Sequence, residues 1–146
     1  MAPANGLYYI SNVMNTTYYL TYLDDKIVAS QDTLTLWDVK TPTDGPRWTT
    51  IKQHNQSNLF KLDQKSHSAG TPILFCEVSA DHNDYLQNWT LKRVADTVLT
   101  YSIPSVVRHS QEIAMSSSPE SGDNPVTAEA LDSTAENHQW KFTLWV

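Results

Sequence analysis

Hydrophobic and polar residues alternate along three segments spread over the chain. The segments are residues 7–13, 59–63 and 98–103. Alternation with a period of two puts successive side chains on opposite faces of an extended chain, so it predicts half-buried β-strands. Shorter runs rich in β-branched and aromatic residues lie between them, separated by Asn, Asp, Gly, Pro and Ser. The pattern predicts short strands and turns, and no segment has the periodicity of a long helix.

A tryptophan pattern repeats three times along the chain. Trp48, Trp89 and Trp140 each follow a polar, turn-forming stretch and precede strand-like residues. They lie 41 and 51 residues apart, which indicates three repeated units. The predicted units are residues 6–54, 55–95 and 96–146, and each begins with one of the alternating segments.

Four strands in each of three units, about twelve in all, are typical of the all-β fold called the β-trefoil. In that fold the opening strand and the tryptophan strand of each unit together close a six-stranded barrel, and the middle pairs form a cap of hairpins. The length of 146 residues suits one such pseudo-threefold domain, predicted to span residues 1–146. The alternative, a sandwich of about seven to nine strands, leaves the tryptophan repeat unexplained.

Composition narrows the class of protein. Cys76 is the single cysteine, so an internal disulfide is excluded and the fold depends on its core. The net charge is −6 and Lys and Arg form no cluster, which makes nucleic acid a poor partner. No apolar run approaches the length of about 18 residues that crosses a membrane. The first residues lack the basic and apolar regions of a signal peptide, so we expect a cytoplasmic protein.

The sequence lacks the local patterns of the common catalytic and metal sites. It has no nucleophile elbow, no zinc-protease pattern and no phosphate-binding glycine loop. A calcium loop starting at Asp81 fails, because its sixth and twelfth positions are Leu86 and Lys92. The serine-rich residues 116–121 predict a flexible surface loop. We therefore expect a binding module with no cofactor and no metal, and not an enzyme.

Scattered positions in the first and third units resemble a known family. The first unit contributes Gly6, Tyr8, Ile10, Asn12, Leu20-Thr21-Tyr22, Leu34-Thr35-Leu36, Trp48 and Ile51. The third contributes Ile113-Ala114-Met115-Ser116, Val126-Thr127 and Gln139-Trp140-Lys141-Phe142. Together they resemble the mycospins, β-trefoil serine protease inhibitors of mushrooms, a family that also contains lectins. The resemblance implies a fungal defence protein whose loops carry the function.

Protease inhibition is the first function that the resemblance implies. In the inhibitors, the loop between the second and third strands inserts a basic residue into the specificity pocket of a trypsin-like serine protease. The matching residues here are Asp25, Lys26 and Ile27, with Lys26 at the inserting position. A loop held by a rigid barrel loses little entropy when it binds. Arg108, in the third unit, is the alternative inserting residue.

Carbohydrate binding is the alternative function. Sugar sites combine an aromatic face with amides and carboxylates that bind hydroxyl groups. Asn137 and Gln139 belong to an Asn-x-Gln-Trp segment that is common in ricin-B-like β-trefoils. By analogy with the lectins of the family, Phe75 and Tyr85 mark a second sugar-binding surface. The expected partner is therefore a trypsin-like protease or a glycan.

Overall fold

Short β-strands make up most of the regular structure in the computed structural model of the chain. The structure describes residues 2–24, 26–43, 48–54, 60–63, 70–77, 88–106 and 112–145, with the backbone alone for residues 60–63, 71 and 74–77. The strands are β1 Gly6–Asn12, β2 Asn15–Leu23, β3 Lys26–Ser30, β4 Trp37–Lys40, β5 Thr50–Gln53, β6 Phe60–Asp63, β7 Thr71–Pro72, β8 Leu74–Glu77, β9 Lys92–Arg93, β10 Thr100–Ser102, β11 Ile113–Ser116, β12 Asn124–Pro125, β13 Thr127–Ala130 and β14 Trp140–Leu144. A single 3₁₀ turn, Glu136–His138, lies among these described residues.

Six segments close a barrel. β1 pairs with β4, and β4 pairs with β5. Thr49, directly before β5, exchanges two backbone hydrogen bonds with Trp89, with N–O distances of 2.7 and 2.8 Å. The Trp89 segment also bridges to Ser105, shortly after β10. β10 pairs with β14, and β14 pairs with β1, which completes the ring. Closure leaves the barrel without a free sheet edge.

The hairpin cap lies over one end of this barrel and joins the units. β2 pairs with β3, β6 with β8, and β11 with β13, which gives one antiparallel pair in each unit. Two further ladders connect different units: β12 pairs with β3, and β13 pairs with β7. The predicted barrel and hairpin cap are confirmed, and the architecture is a β-trefoil.

The tryptophans that occupy equivalent places in the barrel are Trp37, Trp89 and Trp140. They lie 52 and 51 residues apart, and each is fully buried on a strand between the opening strand of its own unit and that of another unit. The prediction that Trp48 belongs to this set is wrong. Trp48 directly precedes Thr49 and β5, which open the second unit. The boundary between the first two units therefore falls before Trp48 and not at residue 54.

The barrel interior is filled by side chains that alternate along its strands. Each equivalent tryptophan is followed two residues later by a buried hydrophobic residue: Val39, Leu91 or Phe142. Tyr8 and Tyr101, from two opening strands, contact the edge of Phe142 at centroid distances of 5.7 and 5.4 Å. Burial raises the pKa of both tyrosines, because the phenolate loses its hydration there. These rings therefore remain neutral in the core.

Because the buried tryptophans occupy equivalent positions, replacing any of them should destabilise the fold to a similar extent. Trp37→Ala and Trp89→Ala should each lower the free energy of unfolding by about 3–5 kcal/mol, through lost burial and the cavity left behind. Trp145→Ala is the matched control, because half of this side chain is exposed, and it should cost less than about 1 kcal/mol. Urea denaturation followed by circular dichroism measures all three. Equal stabilities of the Trp37→Ala variant and the wild type would contradict the assignment of Trp37 to the barrel core.

Candidate functional site

A polar cleft in the third unit is the strongest candidate site in the described part of the chain. We call it the third-unit cleft. It has a volume of about 410 Å³ and is lined by Ser116, Ser117, Ser118, Asn124, Pro125, Thr127, Glu129 and Asn137. These residues come from the end of β11, from β12 and β13, and from the 3₁₀ turn before β14. Its volume lies within the range of small-molecule sites, and almost all of its lining side chains are polar.

Hydrogen bonds hold the serine wall of this cleft in place. Ser116 and Ser117 are buried, and the Ser117 hydroxyl donates to the Pro125 carbonyl at 2.9 Å. The backbone N–H of Ser117 donates to the Asn137 carbonyl at 3.1 Å. The sequence predicted a flexible surface loop here. The structure instead shows that its first two serines are packed and bonded, because they continue β11 into the core.

A buried asparagine of the first unit, Asn12, is hydrogen-bonded to the backbone of two cleft residues. The Asn12 amide nitrogen donates to the backbone carbonyls of Ser117 and Asn137, both at 3.3 Å. The Asn12 amide oxygen accepts the Met14 N–H at 3.0 Å. Because Asn12 pairs with Trp140 across β1 and β14, closure of the barrel determines where it lies. Asn12 thus links two walls of the cleft, a role that sequence reasoning missed.

The side chains of Asn137 and Glu129 leave hydrogen-bonding capacity for a ligand. The Asn137 amide nitrogen donates to the Ser118 hydroxyl oxygen at 3.1 Å. One Glu129 carboxylate oxygen accepts the Thr127 hydroxyl at 2.6 Å. Within the described residues, the Asn137 amide oxygen, the second Glu129 oxygen and the Ser118 hydroxyl proton have no further partner. A ligand hydroxyl can donate to either of the first two groups while it accepts from the third.

Gln139, the other predicted sugar contact of this segment, supports the fold instead. It is buried, and its amide nitrogen donates to the Ser133 carbonyl at 3.0 Å. The loop before it is braced by Asp132, whose carboxylate accepts the Thr134 hydroxyl at 2.7 Å and the Thr134 N–H at 3.0 Å. The Asp132 N–H donates to His138 Nδ1 at 3.2 Å. Gln139 does not line the cleft, so of the two predicted residues only Asn137 does.

The two side chains of the second predicted sugar-binding surface are not among those that the structure describes. Phe75 lies in β8, of which the structure describes the backbone, and Tyr85 lies outside the described residues. Their roles remain predictions.

The predicted inhibitory loop is a tight hairpin. β2 and β3 are joined by Asp24 and residue 25, with Leu23 paired to Lys26. Asp24 has a φ of 50°, a left-handed conformation that aspartate tolerates in such turns. Lys26 is exposed, but Ile27 is only 3% exposed and belongs to the core. Burial of Ile27 conflicts with its predicted contact to a protease, because a substrate-like loop presents the residues on both sides of the cleaved bond. Asp25 and Arg108 lie outside the described residues.

Two other features, a metal-binding cluster and a membrane-spanning helix, are absent from the described residues. No group of three or more His, Cys, Asp or Glu side chains there could hold a metal ion. None of its helical segments is long and apolar enough to span a membrane.

Comparisons with known proteins agree on the fold. No family model and no curated protein matches the sequence. A mosquitocidal holotoxin matches with a TM-score of 0.82 and 13% identity over 99% of this chain, which spans 18% of the holotoxin chain. The designed threefold-symmetric protein ThreeFoil matches with a TM-score of 0.75 and 17% identity, covering 97% of this chain and all of its own. SeviL, solved with the asialo-GM1 saccharide, matches with a TM-score of 0.67 and 15% identity, over 98% of this chain and 100% of SeviL.

These likenesses bear on the fold alone, because the identities are low. Further matches include the binding domain of botulinum neurotoxin serotype D, with a TM-score of 0.68 and 14% identity. None of these structures is a mushroom protease inhibitor, so membership of the mycospin family stays a prediction.

The hydrogen bonds that Asp132 accepts from Thr134 predict how the loop before Asn137 responds to acid. The Thr134 hydroxyl, and then the Thr134 N–H, hold the pKa of Asp132 below its usual value of 3.8. A depressed carboxyl pKa stabilises the loop above pH 3.8, and this contribution disappears as the pH falls through the lower, folded-state value. The Thr134 amide resonance, followed by NMR, should therefore titrate with a midpoint below pH 3.8. Asp132→Asn should abolish that titration, whereas a midpoint at or above 3.8 in the wild type would contradict the bracing.

Proposed function

We propose that this protein is a carbohydrate-binding β-trefoil and that the third-unit cleft is its glycan site. The observation that carries the proposal is the set of unused hydrogen-bonding groups at the cleft surface: the Asn137 amide oxygen, one Glu129 carboxylate oxygen and the Ser118 hydroxyl proton. Sugars are recognised through dense hydroxyl groups that donate and accept at once, and such a set matches them.

The rigidity of the cleft supports this function. The Asn137 backbone is held by Asn12 and by Ser117, and the Glu129 carboxylate is oriented by the Thr127 hydroxyl. Groups that are already ordered lose little entropy when a ligand binds. Carboxylate acceptors also make stronger hydrogen bonds to hydroxyls than neutral acceptors do, so Glu129 is expected to dominate the affinity.

The comparisons favour glycan binding over protease inhibition. One neighbour was solved with a bound saccharide, and a holotoxin and a neurotoxin binding domain are among the others. The inhibitor hypothesis depends on Lys26 and on a neighbouring residue, Ile27, that is buried. We therefore propose a glycan, and not a trypsin-like protease, as the partner.

Substitutions in the cleft test the proposal. The protein is first applied to a glycan array, and the strongest ligand is then titrated by calorimetry. Glu129→Gln should weaken binding about tenfold or more, and Asn137→Ala about threefold to tenfold, since a hydrogen bond to a charged group contributes more. Both variants should melt like the wild type, because the Asn137 backbone bonds remain.

Glu136→Gln is the matched control, because Glu136 is exposed, precedes Asn137 on the same 3₁₀ turn and does not line the cleft. It removes the same charge and should leave the affinity unchanged. An array without signal would remove the glycan hypothesis. Binding that neither Glu129→Gln nor Asn137→Ala weakens would place the glycan elsewhere on the molecule.

A further inference from the structure

Trp145 is the most exposed tryptophan in the described part of the chain. Its side chain is 51% exposed, whereas Trp37, Trp89 and Trp140 are fully buried. The backbone of Trp145 is held by the sheet, because its backbone N–H donates to the Leu7 carbonyl at 2.9 Å and so extends the pairing of β14 with β1. A large apolar ring held at the surface by a rigid sheet indicates a contact site.

Strand alternation puts Trp145 on the outer wall of the barrel. In β14, Trp140 and Phe142 are buried while Lys141 and Thr143 are exposed, and Leu144 at the strand end is exposed as well. Trp145 follows directly after β14 and lies two residues beyond Thr143, so it continues the outward series. Its hydrogen-bonded neighbour on β1 is Leu7, which is half-buried. The register therefore places Trp145 and Leu7 side by side on the outer face, and we call this pair the apolar platform.

Polar side chains border this platform. Tyr9 pairs with Thr143, one step along the same face, and neither hydroxyl has a hydrogen-bond partner within the described residues. On the other side, Asp38 of β4 pairs with Leu7 and with Lys52 of β5, and its carboxylate lies 3.7 Å from the Lys40 ammonium. A row from the Asp38 carboxylate across Leu7 to Trp145 spans three strands, about 10 Å at the usual strand spacing. We call these five residues the wall site: Leu7, Tyr9, Asp38, Thr143 and Trp145.

We propose that the wall site is a second glycan subsite, at which a sugar ring stacks on Trp145. This inference rests on the proposed function. A pyranose has an apolar face of C–H groups and a rim of hydroxyls, and the wall site offers an aromatic face bordered by hydroxyls and a carboxylate. The apolar area is small: one half-exposed tryptophan and Leu7 contribute far less than the roughly 800 Å² that each partner buries in a stable dimer.

Two subsites would make a single chain bivalent. The third-unit cleft is fixed by Asn12, at one end of β1, and the wall site includes Leu7, five residues away near the other end. Five strand residues span about 16 Å, which is longer than one sugar ring. The two subsites would therefore bind separate sugar residues, and binding of a multivalent glycan would gain from both.

The test uses the asialo-GM1 oligosaccharide as the probe and a chain whose cleft has been disabled by Asn137→Ala with Glu129→Gln. In this double variant, adding Trp145→Ala should weaken the remaining saccharide binding at least about tenfold, whereas Trp145→Phe, which keeps a ring, should weaken it no more than about threefold. Leu34→Ala, a change at an exposed hydrophobic residue outside the wall site, is the control and should have no effect.

Acrylamide quenching of tryptophan fluorescence provides a second, site-specific readout. The saccharide should protect the fluorescence of the wild type and of the double variant to the same extent, and Trp145→Ala should abolish this protection. Binding that is lost completely in the double variant overturns the wall site and leaves the third-unit cleft intact. Binding to the wild type that does not protect Trp145 has the same consequence. A change of oligomeric state on Trp145→Ala, measured by sedimentation, would assign the surface to a second copy and also overturn it. A wild-type chain that binds no glycan at all defeats both proposals.

Discussion

Burial of one tryptophan in the last barrel strand of each unit imposes the constraint on which the rest of the structure depends. A buried indole N–H needs an acceptor, because an unpaired polar group in the core is costly. Trp37 donates to the Leu20 carbonyl at 2.9 Å, and Trp140 donates to the Met115 carbonyl at 3.1 Å. Both acceptors lie on the second strand of the same unit, so each bond ties the barrel wall to the cap. Met115 immediately precedes the serines of the third-unit cleft, and its bond to Trp140 therefore sets where the cleft begins.

Closure of the barrel also positions residues of the third-unit cleft. The register of β1 against β14 puts Asn12 opposite Trp140, and from there its amide reaches the carbonyls of Ser117 and Asn137. A residue at the start of the chain thus positions two residues of the last unit. The side chains at the cleft surface, including Glu129, are free to meet a ligand because backbone and buried groups do the positioning. Such a division between scaffold and surface lets one fold carry many binding specificities.

Sequence patterns predicted the repeated β-strands and the β-trefoil, but they did not identify which tryptophan of the first unit is equivalent to Trp89 and Trp140. Trp48 follows a polar turn, as Trp89 does, whereas Trp37 follows the alternating segment Thr33-Leu34-Thr35-Leu36. Only the pairing with distant strands identifies Trp37 as the barrel residue. At the site, Asn137 was predicted from its local segment, but Gln139 from the same segment turned out to brace the backbone. Nothing in the local sequence pointed to Glu129 or Asn12. These two residues reach the cleft through long-range strand pairing, which periodicity does not encode.

Mapping of amide chemical shifts can show whether a glycan occupies the third-unit cleft, as we propose. A ¹⁵N-labelled chain is titrated with the strongest array ligand, and the perturbed resonances are assigned. We expect the largest saturating shifts at Ser118, Thr127, Glu129 and Asn137, and no shift at Leu23 or Lys26. Saturating shifts confined to those last two residues, or to any surface that excludes the third-unit cleft, would contradict the proposal.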